Sequence, residues 1–390
     1  MKIAFIVGQR LSDTGGGNKI VTKIVNELAR RGKCDLLMFD FESRLIDRES
    51  LIEAKGKDLD EAIKFRIIGS FLFKRNPFSM FYRFIELVQF EKPDLIIDTT
   101  GPTLKIISFF TLLIFLKKKE RPKYVFFDHS PVKTLIGNSK LSFLYSLLAP
   151  LMYRRVDIVA SVSRELVATV ARDYELSPEK TVFIHNPIDE KLINERSAET
   201  VKHEWFNQKD VPIIITACRL DEIQKNVPLL LRSFSRARKE TPCRLVVVGA
   251  GPQEQYLKEL SRRLLIEEYV WFVGYDPNPY KYIKKSKVFI LSTKFEALPL
   301  VLGEAMACGC PVISSDCDFG PREVLEGGKD GILVPVGDED ALTEAILKML
   351  KNEKLRQEYI QKGLDRVKQF SMEKIINEYE EMFHRALSSS

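Results

Sequence analysis

No stretch of this sequence is apolar for long enough to cross a membrane. The longest such run, Ile106 to Leu116, falls well short of the roughly 18–20 residues a spanning helix requires. The six cysteines, Cys34, Cys218, Cys243, Cys308, Cys310 and Cys317, lack the spacing of a disulfide framework, and most fall inside apolar runs. Cys308-x-Cys310 with Cys317 is embedded in AMACGCPVISS, which reads as helix, turn and buried strand rather than as a metal site. A secretory leader is not expected, because Met1-Lys2 runs straight into IAFIVG, too short for the apolar core of a signal and shaped like a buried first strand. Short repeats and low-complexity tracts are missing as well. Together these gaps exclude a membrane-spanning, disulfide-stapled or fibrous chain and imply a reducing, cytoplasmic setting.

What is present is a chain of 390 residues, 45% hydrophobic and 29% charged, too long for one ordinary core and ordinary for a folded protein of two or three domains. The charge is uneven. Residues 1–190 hold 30 Lys+Arg against 24 Asp+Glu, and residues 191–390 hold 30 of each, so the whole excess of +6 lies in the first half. A basic half suggests an anionic partner such as nucleic acid or a lipid surface.

Short apolar runs alternate with helix-like stretches from end to end. KIAFIVG, DLIIDTT, KYVFFDHS and VDIVASVS make one series, and VPIIITAC, CRLVVVGAG, YVWFVGY, KVFILST and CPVISSD a second. Buried strands alternating with helices specify parallel sheets of βαβ type. Two such series predict an α/β protein of two Rossmann-like, doubly wound domains. The polar stretch after HNPID sets the boundary, giving residues 1–190, residues 191–370, and a final helical segment 371–390. That segment has Ile375, Ile376, Tyr379 and Phe383 at helical spacing and is expected to cross back to the first domain.

Four constellations carry chemistry. Gly15-Gly16-Gly17 follows the first strand and precedes a helix, so backbone amides there could approach an anion; it is not the dinucleotide fingerprint, and it could equally be a plain turn. Arg219 and Lys225 follow VPIIITAC, at the strand end where an open sheet binds ligand, and offer a fork and a point charge to a diphosphate. The strongest is LSTKFEALPLVLGEAMACGCPVISSD. Glu296 stands on a loop eight residues before Glu304, which the helical pattern places on a helix opened by Pro299. Amides at Leu298, Leu300 and Val301 would face a phosphate, Glu304 could hold ribose hydroxyls, and Glu296 could reach hydroxyls of a sugar. The fourth is His129, at the carboxyl end of KYVFFDHS, with Asp128 beside it as an orienting partner or a strand-end cap.

In this order these motifs resemble the retaining glycosyltransferases of family 4, which have the two-domain GT-B fold. The resemblance spans nearly the whole chain and adds Asn186-Pro187-Ile188-Asp189, Lys225-Asn226, Gly249-Ala250-Gly251-Pro252 and GILVPVGD near residue 331. It implies that Arg219 and Lys225 bind the donor diphosphate, Glu304 the ribose and Glu296 the donor sugar, with amides of Leu300 and Val301 on the phosphate. It further implies that Gly16 and Gly17 close over donor phosphate and acceptor, that Gly251 and Tyr275 belong to the donor site, and that His129 stands by the sugar. Neither a metal nor another cofactor is expected, since two cations and a helix dipole can neutralise the leaving diphosphate. Cys218 stands where the family usually has Gly. The stretch Phe319 to Leu325 is longer than the usual turn, a variant that leans toward UDP-linked hexoses or N-acetylhexosamines.

The acceptor is expected to be a saccharide on a polyprenyl diphosphate, or another glycolipid, met at the cytoplasmic face of a membrane. FLFKRNPFSMFYRF carries Phe71, Lys74, Arg75 and Phe78, and LKIISFFTLLIFLKKKERPK ends in Lys117 and Lys118; each pairs an apolar face with a basic end, as does LSFLYSLLAPLMYRR. The same stretches could instead be core helices. Aromatic and basic residues can also stack nucleic-acid bases, but no recognition motif accompanies them and no nucleic acid is expected. Two alternatives to glycosyl transfer stand beside it: a nucleotide-sugar epimerase of the same fold and a non-catalytic sugar-binding protein.

Overall fold

The computed structural model describes residues 1–7, 16–40, 59–67, 78–129, 140–208, 210–221 and 223–388. They form two compact units. One comprises Met1–Pro187 with Met372–Ser390, and the other is the continuous stretch Ile188–Ser371.

The first unit runs β1 (Lys2–Val7), α1 (Gly16–Arg31), β2 (Asp35–Asp40), β3 (Lys64–Ile67), α2 (Phe78–Glu91), β4 (Leu95–Asp98), α3 (Pro102–Phe115), β5 (Lys123–Asp128), α4 (Lys140–Arg155), β6 (Ile158–Ser161), α5 (Arg164–Tyr174) and β7 (Thr181–Phe183). Its seven strands lie in the order β3-β2-β1-β4-β5-β6-β7, every pair parallel. Ile3 to Val7, Leu95 to Ile97 and Val125 to Phe127 are all buried, as expected of strands covered by helices on both faces. Ser163 caps α5 by accepting the Leu166 N–H.

The second unit runs α6 (Glu190–Ser197), β8 (Ile213–Ala217), α7 (Val227–Glu240), β9 (Arg244–Val248), α8 (Glu254–Arg263), β10 (Val270–Gly274), α9 (Tyr280–Ile283), β11 (Val288–Leu291), α10 (Leu300–Ala307), β12 (Val312–Ser315), α11 (Pro321–Val324), β13 (Ile332–Val334), α12 (Glu339–Lys351) and α13 (Glu353–Val367). Its parallel sheet has the order β10-β9-β8-β11-β12-β13. The core joins Ile214, Leu245, Val247, Val288 and Ile290 of the sheet to Leu230 and Phe234 of α7 and Ile346 of α12. Each such side chain contributes about 1.5–3 kcal/mol over leaving it in water.

The chain ends in α14 (Met372–Ser388), which packs within the first unit. Ile375, Ile376, Tyr379 and Phe383 are buried there; Tyr379 stacks on Phe127 and Phe383 meets Phe5 edge to face. Arg31 and Lys33 bind Glu380 at 3.2 and 2.7 Å on its outer side.

Both strand orders reverse direction once: between β1 and β4 in the first unit, and between β8 and β11 in the second. The loops leaving the carboxyl ends of the two central strands diverge there and leave a crevice, which is where open α/β sheets take ligands.

Candidate functional site

The second unit gathers four of the expected residues at its reversal point. Arg219 and Lys225 follow β8, while Glu296 and Glu304 follow the neighbouring strand β11. The turn after β8 is set by backbone. The N–H groups of Cys218 and Leu220 donate to the carbonyls of Val248 and Ala250, both at 3.0 Å, so this turn runs along the one after β9. A Cβ on Gly249 would lie 1.9 Å from the Cys218 carbonyl oxygen, and one on Gly251 2.3 Å from that of Leu220. Only glycine fits at either position. The close approach accounts for Gly251 locally, through the shape of the turn carrying Arg219. Cys218 fits in place of the usual glycine, and burial pushes its thiol up to about 11, so it stays neutral beside the cations.

Arg219 is exposed and donates through Nε to Asp221 at 2.8 Å. Asp221, which sequence reasoning missed, also accepts the N–H groups of Gln224 and Lys225 at 2.8 and 3.3 Å, and so shapes the turn between the two cations. Lys225 does not stand alone: its ammonium donates to Glu296 Oε1 at 2.5 Å. Glu296 is buried and further accepts from Thr293 Oγ1 at 3.0 Å and Gln224 Nε2 at 3.3 Å. The two loops are knit by Ser292, whose hydroxyl reaches the carbonyls of Lys225 and Asn226 at 3.1 Å. The cation expected on a phosphate and the carboxylate expected on a sugar therefore form one unit.

Pro299 stands just before α10 rather than in its first turn, with φ −75° and ψ 94°. Leu298, Leu300 and Val301 make no backbone hydrogen bond through their N–H groups among the described residues, whereas Leu302 already bonds to Pro299. Gly320, at φ +82°, lies against this segment so tightly that a Cβ would sit 2.6 Å from Pro299 Cδ and 2.8 Å from the Ala297 carbonyl oxygen. The longer Phe319–Leu325 stretch thus buttresses the helix start. Glu304, one turn along α10, accepts the hydroxyl of Tyr280 at 2.9 Å. Neither Tyr280 nor Thr293 was foreseen. Thr293 could have been suspected from its place three residues before Glu296, but nothing in the spacing announces Tyr280. Tyr275 is exposed in the loop after β10.

In the first unit, His129 directly follows β5. Its two ring nitrogens are buried without a hydrogen-bond partner among the described residues, and its ring lies 4.8 Å from that of Phe127. Burial, reinforced by the nearby Lys105 charge, lowers its pKa to about 4, so the ring is neutral at pH 7. The orienting role considered for Asp128 is corrected. Its carboxylate is taken by Lys105 and, at 3.0 Å, by Tyr153, and it makes no bond to His129. Lys105 also donates to the Phe127 carbonyl at 3.0 Å and is itself only 2% exposed.

Gly15, Phe71, Lys74 and Arg75 lie outside the described residues. Gly16 and Gly17 open α1, and Phe78 opens α2. The choice between core and surface for the later stretches resolves into both. Phe109, Leu112, Tyr145 and Met152 are buried, while Ile114 and Phe115 on α3 are 72% and 62% exposed and Leu147 and Leu151 on α4 also face solvent. Lys117, Lys118 and Lys119 are exposed beside them. No described helix is long and apolar enough to cross a membrane. No group of three or more His, Cys, Asp or Glu among the described residues is placed to hold a metal ion. Of the Asp-x-Asp triplets beginning at Asp58, Asp316 and Asp338, Asp316 is paired with Arg322 and Asp338 caps α12.

Two family models divide the chain between them: Glycosyltransferase Family 4 matches residues 14–192 and Glycosyl transferases group 1 matches residues 197–366. An N-acetylgalactosamine-N,N'-diacetylbacillosaminyl-diphospho-undecaprenol 4-alpha-N-acetylgalactosaminyltransferase of Campylobacter jejuni is 32% identical over 63% of this chain and 65% of its own length. An uncharacterized glycosyltransferase of Methanocaldococcus jannaschii is 28% identical over 76% and 81%, and the N-acetyl-alpha-D-glucosaminyl L-malate synthase of Bacillus anthracis 30% identical over 59% and 60%. The match thus spans less than two thirds of two of these three relatives. Among solved structures, Anabaena HepE in complex with UDP has a TM-score of 0.78 at 17% identity, covering 98% of this chain and all of that one. A glycosyltransferase from Rickettsia africae has a TM-score of 0.79 at 17% identity, covering 100% of this chain and 99% of its own.

Proposed function

The chain belongs to the family 4 glycosyltransferases, and from that premise we propose that it transfers a hexose or N-acetylhexosamine, UDP-linked, to a hydroxyl of a lipid-linked saccharide or glycolipid. The observation that carries the reading is the Lys225–Glu296 pair at the reversal point, with Arg219, the start of α10 and Glu304 around it. A nucleoside diphosphate sugar needs cations at the diphosphate, a carboxylate at the ribose and another at the sugar, and these are the groups that follow β8 and β11.

In the proposed reaction the bond from the anomeric carbon to the diphosphate oxygen breaks, and its electron pair leaves on that oxygen. Arg219, Lys225 and the amides of Leu300 and Val301 take up the developing charge, which is the task a metal performs elsewhere. The acceptor hydroxyl bonds to the anomeric carbon on the face the diphosphate vacates, its proton passing to the departing oxygen, so configuration is retained. Glu296 holds sugar hydroxyls. His129, neutral at pH 7, serves as a hydrogen-bonding group to the sugar rather than as a general acid. Two of its relatives' names support the acceptor class: the Campylobacter jejuni enzyme's substrate is a diphospho-undecaprenol, and a 29% identical Mycobacterium leprae relative is a phosphatidyl-myo-inositol mannosyltransferase. The exposed Ile114, Phe115, Leu147 and Leu151 with Lys117–Lys119 support a peripheral seat on anionic lipid at the cytoplasmic face.

Thermal melting with a panel of UDP-, GDP- and ADP-sugars tests the donor. A donor at 100 times its dissociation constant stabilises by about 2.7 kcal/mol, so one class should raise the melting temperature by several degrees, and Lys225→Ala should abolish the rise. No shift with any nucleotide sugar, or conversion of a lone donor to its epimer, would overturn the proposal.

A further inference from the structure

Glu304 is held from outside its own helix. The Tyr280 hydroxyl reaches it across 24 positions of sequence and donates to Oε1 at 2.9 Å. Burial and the Glu304 charge push the phenol of Tyr280 well above its ordinary range, so the hydroxyl is a donor at neutral pH.

Helix α9, which carries Tyr280, is only four residues long and has little stability of its own. The turn before it supplies the rigidity. Asp276 accepts the Asn278 N–H at 2.8 Å, the Tyr282 hydroxyl at 2.8 Å and the Lys281 ammonium at 2.9 Å. The Asn278 side-chain amide donates to the Arg196 carbonyl at 3.0 Å, which ties the turn to α6. Tyr280 is thus fixed at its backbone and reaches Glu304 from a set direction. A glutamate on a helix surface otherwise samples many rotamers. One whose carboxylate plane is set by a phenol can meet two neighbouring hydroxyls of a ligand without first being ordered.

We propose that Tyr280 is a positioning residue for the nucleoside of the donor: it sets the Glu304 carboxylate to accept from the two ribose hydroxyls. This rests on the reading of Glu304 as the ribose ligand. The same turn carries Tyr275 at its start, so the segment Tyr275–Tyr280 joins an exposed aromatic to the support of the ribose carboxylate.

Isothermal calorimetry with uridine, guanosine and adenosine diphosphates, each beside its 2′,3′-dideoxy form, tests this on wild type, Tyr280→Phe, Glu304→Gln and the double variant. For the base that binds, Tyr280→Phe should weaken the ribonucleotide about tenfold, the scale of one hydrogen bond to a charged group. It should leave the dideoxy form within about twofold and add nothing in the Glu304→Gln background. An equal loss with both ligands, or a full loss on top of Glu304→Gln, would mean that Tyr280 merely supports the fold and would overturn the proposal. A ribose-dependent loss in Glu304→Gln but not in Tyr280→Phe overturns the role of Tyr280 alone. No ribose dependence in Glu304→Gln overturns the ribose reading and this one with it.

Discussion

The two units treat charge in opposite ways. In the second, Lys225 pairs with Glu296 across two loops, Arg219 with Asp221 within one turn, and Glu304 accepts the Tyr280 hydroxyl between two helices. Arg219 is 69% exposed and Lys225 16%, so these cations keep more contact with water than Lys105 does. In the first, Lys105 and Asp128 form a pair 2% and 3% exposed, backed by Tyr153, and Asp98 accepts Thr100, Ser108 and Tyr124 beneath the same sheet. Those groups are buried and bonded to one another and to nearby backbone carbonyls. One arrangement is built to be re-partnered and the other to hold backbone in place, and the difference follows from desolvation rather than from residue type.

That contrast can be broken in four places. Lys105→Met should be the most damaging to the fold, since it leaves Asp128 charged and buried; a loss of about 3–5 kcal/mol in urea unfolding is expected, and a loss under 1 kcal/mol would make the pair ordinary. Lys225→Ala should lower turnover by about 10²–10³-fold, the scale of one charge-stabilising donor, while melting stays within a few degrees of wild type. A collapse in melting temperature instead would place this pair with the buried one.

The third break concerns pH. His129 has its folded pKa lowered from 6.5 to about 4, so between these values the unfolded chain binds more protons than the folded one. Stability contributed by the neutral ring is present above pH 6.5 and is lost as pH falls toward 4, by about 3 kcal/mol. Urea titrations from pH 7 to pH 4 should show this slope, and His129→Gln should flatten it; an unchanged slope would locate the burial cost elsewhere. The smallest effect is expected at the surface. Replacing Lys117 and Lys118 by Glu should weaken flotation with anionic liposomes by about 1 kcal/mol for each cation removed, more strongly at low salt. Binding that is insensitive to both changes would exclude the basic end of α3 from lipid contact.

Much of this architecture was legible from apolar runs. IAFIVG, DLIIDTT and VPIIITAC read as buried strands because helices cover both faces of a parallel sheet, and they became β1, β4 and β8. The final helix was legible from Ile375, Ile376, Tyr379 and Phe383. Strands β3, β7 and β13 were not, being three or four residues long and partly exposed. Within the candidate site, the gathering of Arg219, Lys225, Glu296 and Glu304 at the ends of neighbouring strands could be read from position, but their partners could not. Lys105 looks like a solvated cation on an apolar helix and is instead buried, because its partner Asp128 stands on a strand that local sequence cannot place beside it.

Helix α14 makes the two units depend differently on chain continuity. The second unit is one uninterrupted stretch and contains all its own strands, so its core does not draw on α14. The first unit joins residues 1–187 to a helix that lies beyond the whole second unit in sequence. Without Tyr379 and Phe383, Phe127 and Phe5 lack the aromatic rings that cover them. An apolar face of the first unit is thus closed by residues nearly two hundred positions beyond Pro187.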